Sequence, residues 1–140
     1  PPLIMTTLTR DKPDELVIMS VVRARFAEIL AKESALARRS GELFLTGLFS
    51  SIDAMLDQPM EDAISQLSLP EDAQEALLGQ DGPFTPLHRL VLAYEQGLWD
   101  QVTIFADQAG VEEEALPAAY AAAVSWAHEF CDQGRASSRQ

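Results

Sequence analysis

The residue types that most often perform chemistry are scarce in this chain of 140 residues, and they are not grouped. The two histidines, His88 and His128, are far apart, and neither has another histidine or a cysteine at the spacing of a metal site. A structural zinc ion needs four such ligands, so the sequence excludes one. The single cysteine, Cys131, excludes an internal disulfide and favours a reducing, cytoplasmic location.

Motifs for other kinds of catalysis are also missing from the sequence. It has no glycine-rich phosphate loop, no Gly-x-Ser-x-Gly nucleophile motif and no Asp-x-Asp-x-Asp-Gly calcium loop. The 22 acidic residues leave a carboxylate site for Mg²⁺ or Ca²⁺ open. We expect His88 to be a partly exposed surface or interface residue, His128 to be a packing or solvent-edge residue, and Cys131 to be a small apolar packing residue. We predict no enzymatic activity and no cofactor.

The charge of the chain limits its partners. With 10 basic and 22 acidic residues, its formal net charge is −12, which repels phosphate groups. Nucleic acid and acidic membrane surfaces are therefore not expected as partners. No stretch approaches the roughly 18 apolar residues of a membrane span. Arg23 and Arg25 point to different sides of a predicted helix, where they either contact an anion or a partner, or pair with nearby acids.

The elements that must position these residues are all predicted to be helices. Hydrophobic residues make up 47% of the chain and recur at three- and four-residue spacing, with no sustained alternation of period two. A glycine follows several of the predicted helices, which is typical of a helix end. The sequence therefore predicts an all-α fold, a compact bundle of about seven helices, with Trp99 and Trp126 anchoring the core.

The first part of the chain is predicted to contain two helices. After a turn at residues 11–14, an apolar stripe predicts a helix to about Arg38. Residues 42–57 are apolar on more than one face, which is typical of a central, buried helix, and Gly47 within it predicts the close approach of a neighbour. We expect one domain over residues 1–133, truncated at its N-terminus, and a disordered tail over residues 134–140.

An ordered set of segments resembles the HDOD domain of EAL–HDOD signalling proteins, over roughly residues 8–131. The matching segments are KPDEL at 12–16, VRARFAEILA at 22–31, LFLTGLFSSIDAML at 43–56, LPED at 69–72, ALLG at 76–79, GP at 82–83 and YEQGLW at 94–99. HDOD domains are related to the HD metal phosphohydrolases but lack their catalytic residues. The resemblance therefore implies an HD-related helical fold without activity.

The resemblance also marks the place where a metal site would lie. An active HD site has a Gly-Leu-Leu-His-Asp type of segment, whose adjoining His and Asp hold a metal that activates water. The corresponding segment here is residues 47–51, Gly-Leu-Phe-Ser-Ser, so Ser50 stands at the His position and Ser51 at the Asp position. Neutral hydroxyls are poor ligands for a divalent cation. The comparison implies that no metal binds there.

The resemblance implies a bacterial regulator whose usual companion is an upstream EAL domain, associated with cyclic-di-GMP hydrolysis or binding. We expect a non-catalytic signal-transduction module that binds a protein partner or a second copy of itself. A small-molecule sensor and a residual phosphohydrolase with a carboxylate metal site are the alternatives. The residues expected at a partner surface, because they lie near predicted loops, are Phe84, Leu87, Leu98 and Trp99. The alternative for these four is core packing.

Overall fold

The predicted all-α bundle is confirmed by a computed structural model, which describes the backbone of residues 2–139 and the side chains of residues 15–134. Within the described backbone there are eight α-helices, three short 3-10 helices and no β-strand. The α-helices are α1 (Pro2–Lys32), α2 (Ser40–Leu48), α3 (Ile52–Leu56), α4 (Met60–Ser65), α5 (Glu71–Leu77), α6 (Thr85–Gln96), α7 (Trp99–Ala109) and α8 (Leu116–Arg139). The 3-10 helices are Ala37–Arg39, Phe49–Ser51 and Glu113–Ala115.

The first predicted helix differs from α1 at both ends. The predicted turn at residues 11–14 lies within the bounds of α1, and the side chains of that segment lie outside the described set. At the other end α1 stops at Lys32, because the chain turns there and continues as the separate 3-10 helix Ala37–Arg39. The side chains of residues 135–140 are also not described, so the disordered tail and the domain bounds stay predictions.

The predicted central helix over residues 42–57 is divided into α2, a 3-10 turn and α3. The division falls at the two serines. The Ser50 hydroxyl donates a hydrogen bond of 2.7 Å to the carbonyl oxygen of Gly47. A serine hydroxyl that competes for a backbone carbonyl bends or tightens a helix. The side-chain chemistry of the Ser50–Ser51 pair therefore accounts for a break that apolar periodicity alone does not reveal.

The close approach predicted at Gly47 is confirmed. A Cβ atom at this position would lie 2.6 Å from the carbonyl oxygen of Arg23 and 2.7 Å from the backbone nitrogen of Ala24. Such distances are too short for any side chain, so only glycine allows α2 to lie directly against the backbone of α1. This contact fixes the end of α2, and the serines that follow it, beside Arg23.

The core lies mainly between α1, α2, α6 and α8. Its largest fully buried side chains are Phe26, Leu30, Leu43, Phe84, Leu87, Leu90, Val91 and Leu116. Helix α7 packs mainly on α6, to which it is joined by Gly97 in the left-handed region at φ 72°. Trp99, at the start of α7, is 61% exposed. The prediction that Trp99 anchors the core is therefore wrong, because it lies at a flank of α7 whose inward side is formed by Val102 and Ala106.

Candidate functional site

A polar cluster lies where α1, the end of α2 and α6 meet, and we call Arg23, Ser50, Ser51 and Glu95 the Arg23 cluster. The terminal nitrogen NH1 of Arg23 donates to the Ser50 hydroxyl at 3.1 Å and to the Ser51 hydroxyl at 2.8 Å. On its other side, Nε and NH2 donate to the two carboxylate oxygens of Glu95 at 2.6 Å and 3.1 Å. The guanidinium thus joins the two serines to Glu95.

The guanidinium of Arg23 has little capacity left for another ligand. Of its five N–H groups, four are used within the cluster. The side chains of Arg23 and Glu95 are only 13% and 23% exposed, and the bidentate pair compensates the buried positive charge. Arg23 is therefore a structural cation in this arrangement. Of its two predicted roles, pairing with an acid of the same chain describes its geometry better than contact with an external anion or partner.

His88 lies on the same side of α6 as Glu95, two turns earlier, and is 7% exposed. The expectation of a partly exposed histidine is wrong, because the inward face of α6 is wide enough to bury His88 between Leu87 and Val91. Burial, with the positive charges of Arg23 and Arg89 as smaller causes, lowers the pKa of His88 to about 4. His88 is therefore neutral at pH 7.

The surroundings of Arg23 offer few atoms that could coordinate a metal ion. Ser50 and Ser51 both accept hydrogen bonds from the guanidinium, and Glu95 is engaged by it at both oxygens. In the part of the chain whose side chains are described, no three His, Cys, Asp or Glu residues converge as metal ligands would. Chemically, the cluster can hold α1, α2 and α6 together and keep a positive charge at the two serines.

Arg25 is held on the opposite side of α1, as its spacing from Arg23 predicts. Its guanidinium forms an ion pair with Glu28 and lies 5.1 Å from the centre of the Trp126 ring. Trp126 in turn stacks on Phe130 with a centroid distance of 5.2 Å. The two arginines proposed for anion or partner contact are therefore not brought together, and both are paired with acids.

The four residues expected at a partner surface divide into two pairs. Phe84 and Leu87 are completely buried in the core, which is the alternative that the sequence left open for them. Leu98 and Trp99 are exposed, at 40% and 61%. The candidate surface is thereby reduced to Leu98 and Trp99, because a side chain without exposed area cannot contact a partner in this structure.

Trp99 belongs to a ridge of aromatic rings that rises from the core to the surface, and we call Tyr94, Tyr120 and Trp99 the aromatic ridge. The Tyr94 ring lies 5.2 Å from Tyr120 and 5.5 Å from Trp99, and both tyrosines contact the buried Phe26. Burial, with the nearby Glu95 carboxylate as a smaller cause, raises the pKa of Tyr120 above its usual value. The ridge joins the core to the exposed indole.

Sequence reasoning misses Glu95, although it is the carboxylate that completes the Arg23 cluster. Glu95 and His88 are seven residues apart, a spacing that places both on one face of a helix. That spacing is the available signal. It becomes informative only when the packing of α6 on α1 is known, because Arg23 is 72 residues away in the sequence.

The chain is 29% identical over 127 residues to the cyclic di-GMP phosphodiesterase CdgJ of Vibrio cholerae serotype O1, which covers 91% of this chain and 29% of that protein. It is 28% identical over 118 residues to the uncharacterized protein YuxH of Bacillus subtilis, covering 84% of this chain and 28% of that protein. The chain therefore spans less than a third of the length of the curated relatives it matches.

Neither a family model nor a solved structure matches the chain. Among the helices in the described part of the chain, none has the length and apolar character that crossing a bilayer requires.

Proposed function

We propose that this chain is a non-catalytic protein-interaction module of the HDOD type, acting in cyclic-di-GMP-linked signalling in the cytoplasm. The similarity to the Vibrio phosphodiesterase supports the link to cyclic di-GMP. The ordered set of HDOD-like segments and the all-α bundle support the HDOD assignment. In this proposal the chain supplies binding surface and rigidity, and any hydrolysis of cyclic di-GMP is performed by another domain.

The observation that carries the proposal is the guanidinium of Arg23 at Ser50 and Ser51. An active HD site presents an imidazole and a carboxylate to a divalent cation at this place, whereas here two neutral hydroxyls accept hydrogen bonds from a cation of the protein itself. A metal ion entering beside Arg23 would be repelled by roughly 4 kcal/mol for each unit of its charge at about 4 Å and an effective dielectric constant of about 20. The negative charge of Glu95 offsets part of this repulsion, but both of its carboxylate oxygens already accept hydrogen bonds from Arg23.

The experiment that tests the proposal combines metal analysis with a turnover assay. The purified chain is dialysed against Mn²⁺, Fe²⁺ or Mg²⁺, its metal content is measured by mass spectrometry, and cyclic di-GMP and a chromogenic phosphodiester are supplied as substrates. We expect no stoichiometric metal and no hydrolysis above the protein-free rate. One equivalent of metal together with metal-dependent hydrolysis would show that the residual-phosphohydrolase alternative is correct.

A further inference from the structure

An open groove lies between α1, α6 and α8, beside the Arg23 cluster, with which it shares Glu95. It has a volume of about 290 Å³ and is lined by Glu15, Ile18, Met19, Val22, Glu95 and Tyr120. Its floor consists of apolar side chains on α1, which are only partly covered by the rest of the described structure. An apolar depression of this size accepts one or two side chains of another molecule.

The aromatic ridge extends from this groove to the surface. Tyr120 is common to the groove and the ridge, and two successive ring contacts lead from it through Tyr94 to Trp99. Trp99, which is 61% exposed, offers its ring to solvent at the end of this path. An exposed indole beside an apolar groove is typical of a binding hot spot, and the face of an indole attracts a cation.

The charges at the groove indicate whether an acidic or a basic partner would bind there. The charged residues in its lining are Glu15 and Glu95, both acidic. Between Arg89 and Arg135 the sequence contains no Lys or Arg. Of the acids in that stretch, Asp107, Glu112, Glu113 and Glu114 line a different depression, so only their long-range charge acts at the groove. Because Arg23 compensates Glu95, the uncompensated charge in the lining is that of Glu15. This charge and the net charge of −12 attract a basic partner and repel a second copy of the chain.

We propose that the groove and the aromatic ridge bind a basic, amphipathic segment of a partner protein. An apolar side chain of that segment enters the groove over Ile18 and Met19. A neighbouring Lys or Arg lies on the Trp99 ring, with its charge directed to Glu15, because Glu95 is already engaged by Arg23. The inference rests on the proposed function, since it names the partner class of the same interaction module.

The test uses two fluorescein-labelled helical peptides of about 18 residues, long enough to fold on contact. One combines Leu with Lys and the other Leu with Glu in the same amphipathic pattern. Binding to the purified chain is measured by anisotropy at low and at physiological salt. We expect the Lys peptide to bind, more tightly at low salt, and the Glu peptide not to bind.

Single substitutions locate the binding site. We expect Trp99→Ala and Glu15→Gln each to weaken binding of the Lys peptide by about fivefold or more. The matched control is Ile104→Ala, because Ile104 is 54% exposed on α7 and lines a different depression, with Thr103 and Val111. This control should leave the affinity unchanged, and circular dichroism should show the same helix content for all variants.

Several results would overturn the inference. They are no binding of the Lys peptide up to about 1 mM, equal binding of the Glu peptide, or an equal loss of affinity in the Ile104→Ala control. Sedimentation showing a dimer that Trp99→Ala dissociates would assign the groove to a second copy instead. Metal-dependent turnover would refute the non-catalytic assignment and leave peptide binding unchanged, so the two proposals fail separately.

Discussion

The Arg23 cluster and the aromatic ridge meet at the neighbouring residues Glu95 and Tyr94, yet they differ in polarity, burial and hydrogen bonding. The cluster is polar, largely buried and internally satisfied, with four of the guanidinium's hydrogen bonds made within the chain. The ridge with its groove is apolar and open, and it ends at an exposed indole. We therefore expect the cluster to contribute more to stability, and we propose that a partner binds at the groove and the ridge.

The largest effect expected for the Arg23 cluster concerns the helix contact that holds it in place. Gly47→Ala would put a Cβ atom 2.6 Å from the carbonyl oxygen of Arg23, so α1 and α2 must separate. We expect a loss of about 3 kcal/mol or more in the free energy of unfolding, measured by urea denaturation.

The control for this prediction is in the same helix. A Cβ atom at Gly41 would meet nothing within 4 Å, so Gly41→Ala should be neutral or slightly stabilising through its helix propensity. Equal effects of the two substitutions would show that the close approach at Gly47 is not a determinant of stability.

The second expected effect is a dependence of the free energy of unfolding on pH, caused by the buried His88 of α6. The pKa of His88 is about 4 in the folded chain, against the usual 6.5 of a histidine in an unfolded chain. As the pH falls below 6.5, the unfolded chain binds the proton first, so stability decreases between pH 6.5 and 4 by about 3 kcal/mol. Urea denaturation at several pH values should show this loss, and above pH 6.5 the contribution should be complete.

The variants His88→Gln and His128→Gln separate this histidine from other titrating groups. The lowered pKa of Glu42, caused mainly by its hydrogen bond with Arg39, adds a loss of stability in acid that both variants retain. The slope between pH 6.5 and 4 should become shallower in His88→Gln, and His128→Gln serves as the matched substitution at an exposed histidine. An unchanged slope in His88→Gln would contradict the burial of a neutral imidazole.

The third effect separates the two arginines of α1. Arg23→Ala leaves Glu95 and two serine hydroxyls without their partner, and we expect it to cost about 2 kcal/mol, less than for a fully buried pair. Arg25→Ala removes a more exposed pair and a ring contact, and should cost less than about 1 kcal/mol. Thermal unfolding of both variants measures the difference. A larger loss in Arg25→Ala would reverse our assignment of the structural cation.

The smallest effect on stability is expected on the aromatic ridge. Trp99→Ala removes one ring contact with Tyr94 from an exposed position and should cost less than about 1 kcal/mol. Phe26→Ala, at the buried base of the same set of rings, should cost about 4 kcal/mol. Denaturation curves for the two variants would contradict the comparison if Trp99→Ala were as destabilising as Phe26→Ala.

The sequence predicts those features of the fold that depend on local chemistry. The helical period of the apolar residues predicts the all-α bundle, and the cost of a glycine in a buried helix predicts the contact at Gly47. The break at Ser50 and Ser51 is missed, because apolar periodicity continues through residues that hydrogen-bond to their own backbone. The exposure of Trp99 is also not predicted, because an aromatic residue at the edge of an apolar stripe can be either buried or exposed.

The candidate site is only partly predictable from the sequence. The resemblance to HDOD domains directs attention to Ser50 and Ser51, and the residue types alone show that they are poor metal ligands. The presence of Arg23 on these hydroxyls and of Glu95 behind it depends on how distant helices pack. Arg23 and Glu95 are 72 residues apart, so the spacing of residues within one helix gives no sign that they pair. The burial of His88 depends on the same packing.

We propose that Arg23 takes the place that a divalent metal ion has in an active HD site, and calorimetric titration with Mn²⁺ distinguishes the two occupants. The wild-type chain, Ser50→His/Ser51→Asp, and the same double variant with Arg23→Ala are compared. We predict no stoichiometric binding by the wild type or the double variant, and measurable binding only when Arg23 is also removed. Tight binding of one Mn²⁺ ion by the wild-type chain, or by Ser50→His/Ser51→Asp with Arg23 still present, would contradict this proposal.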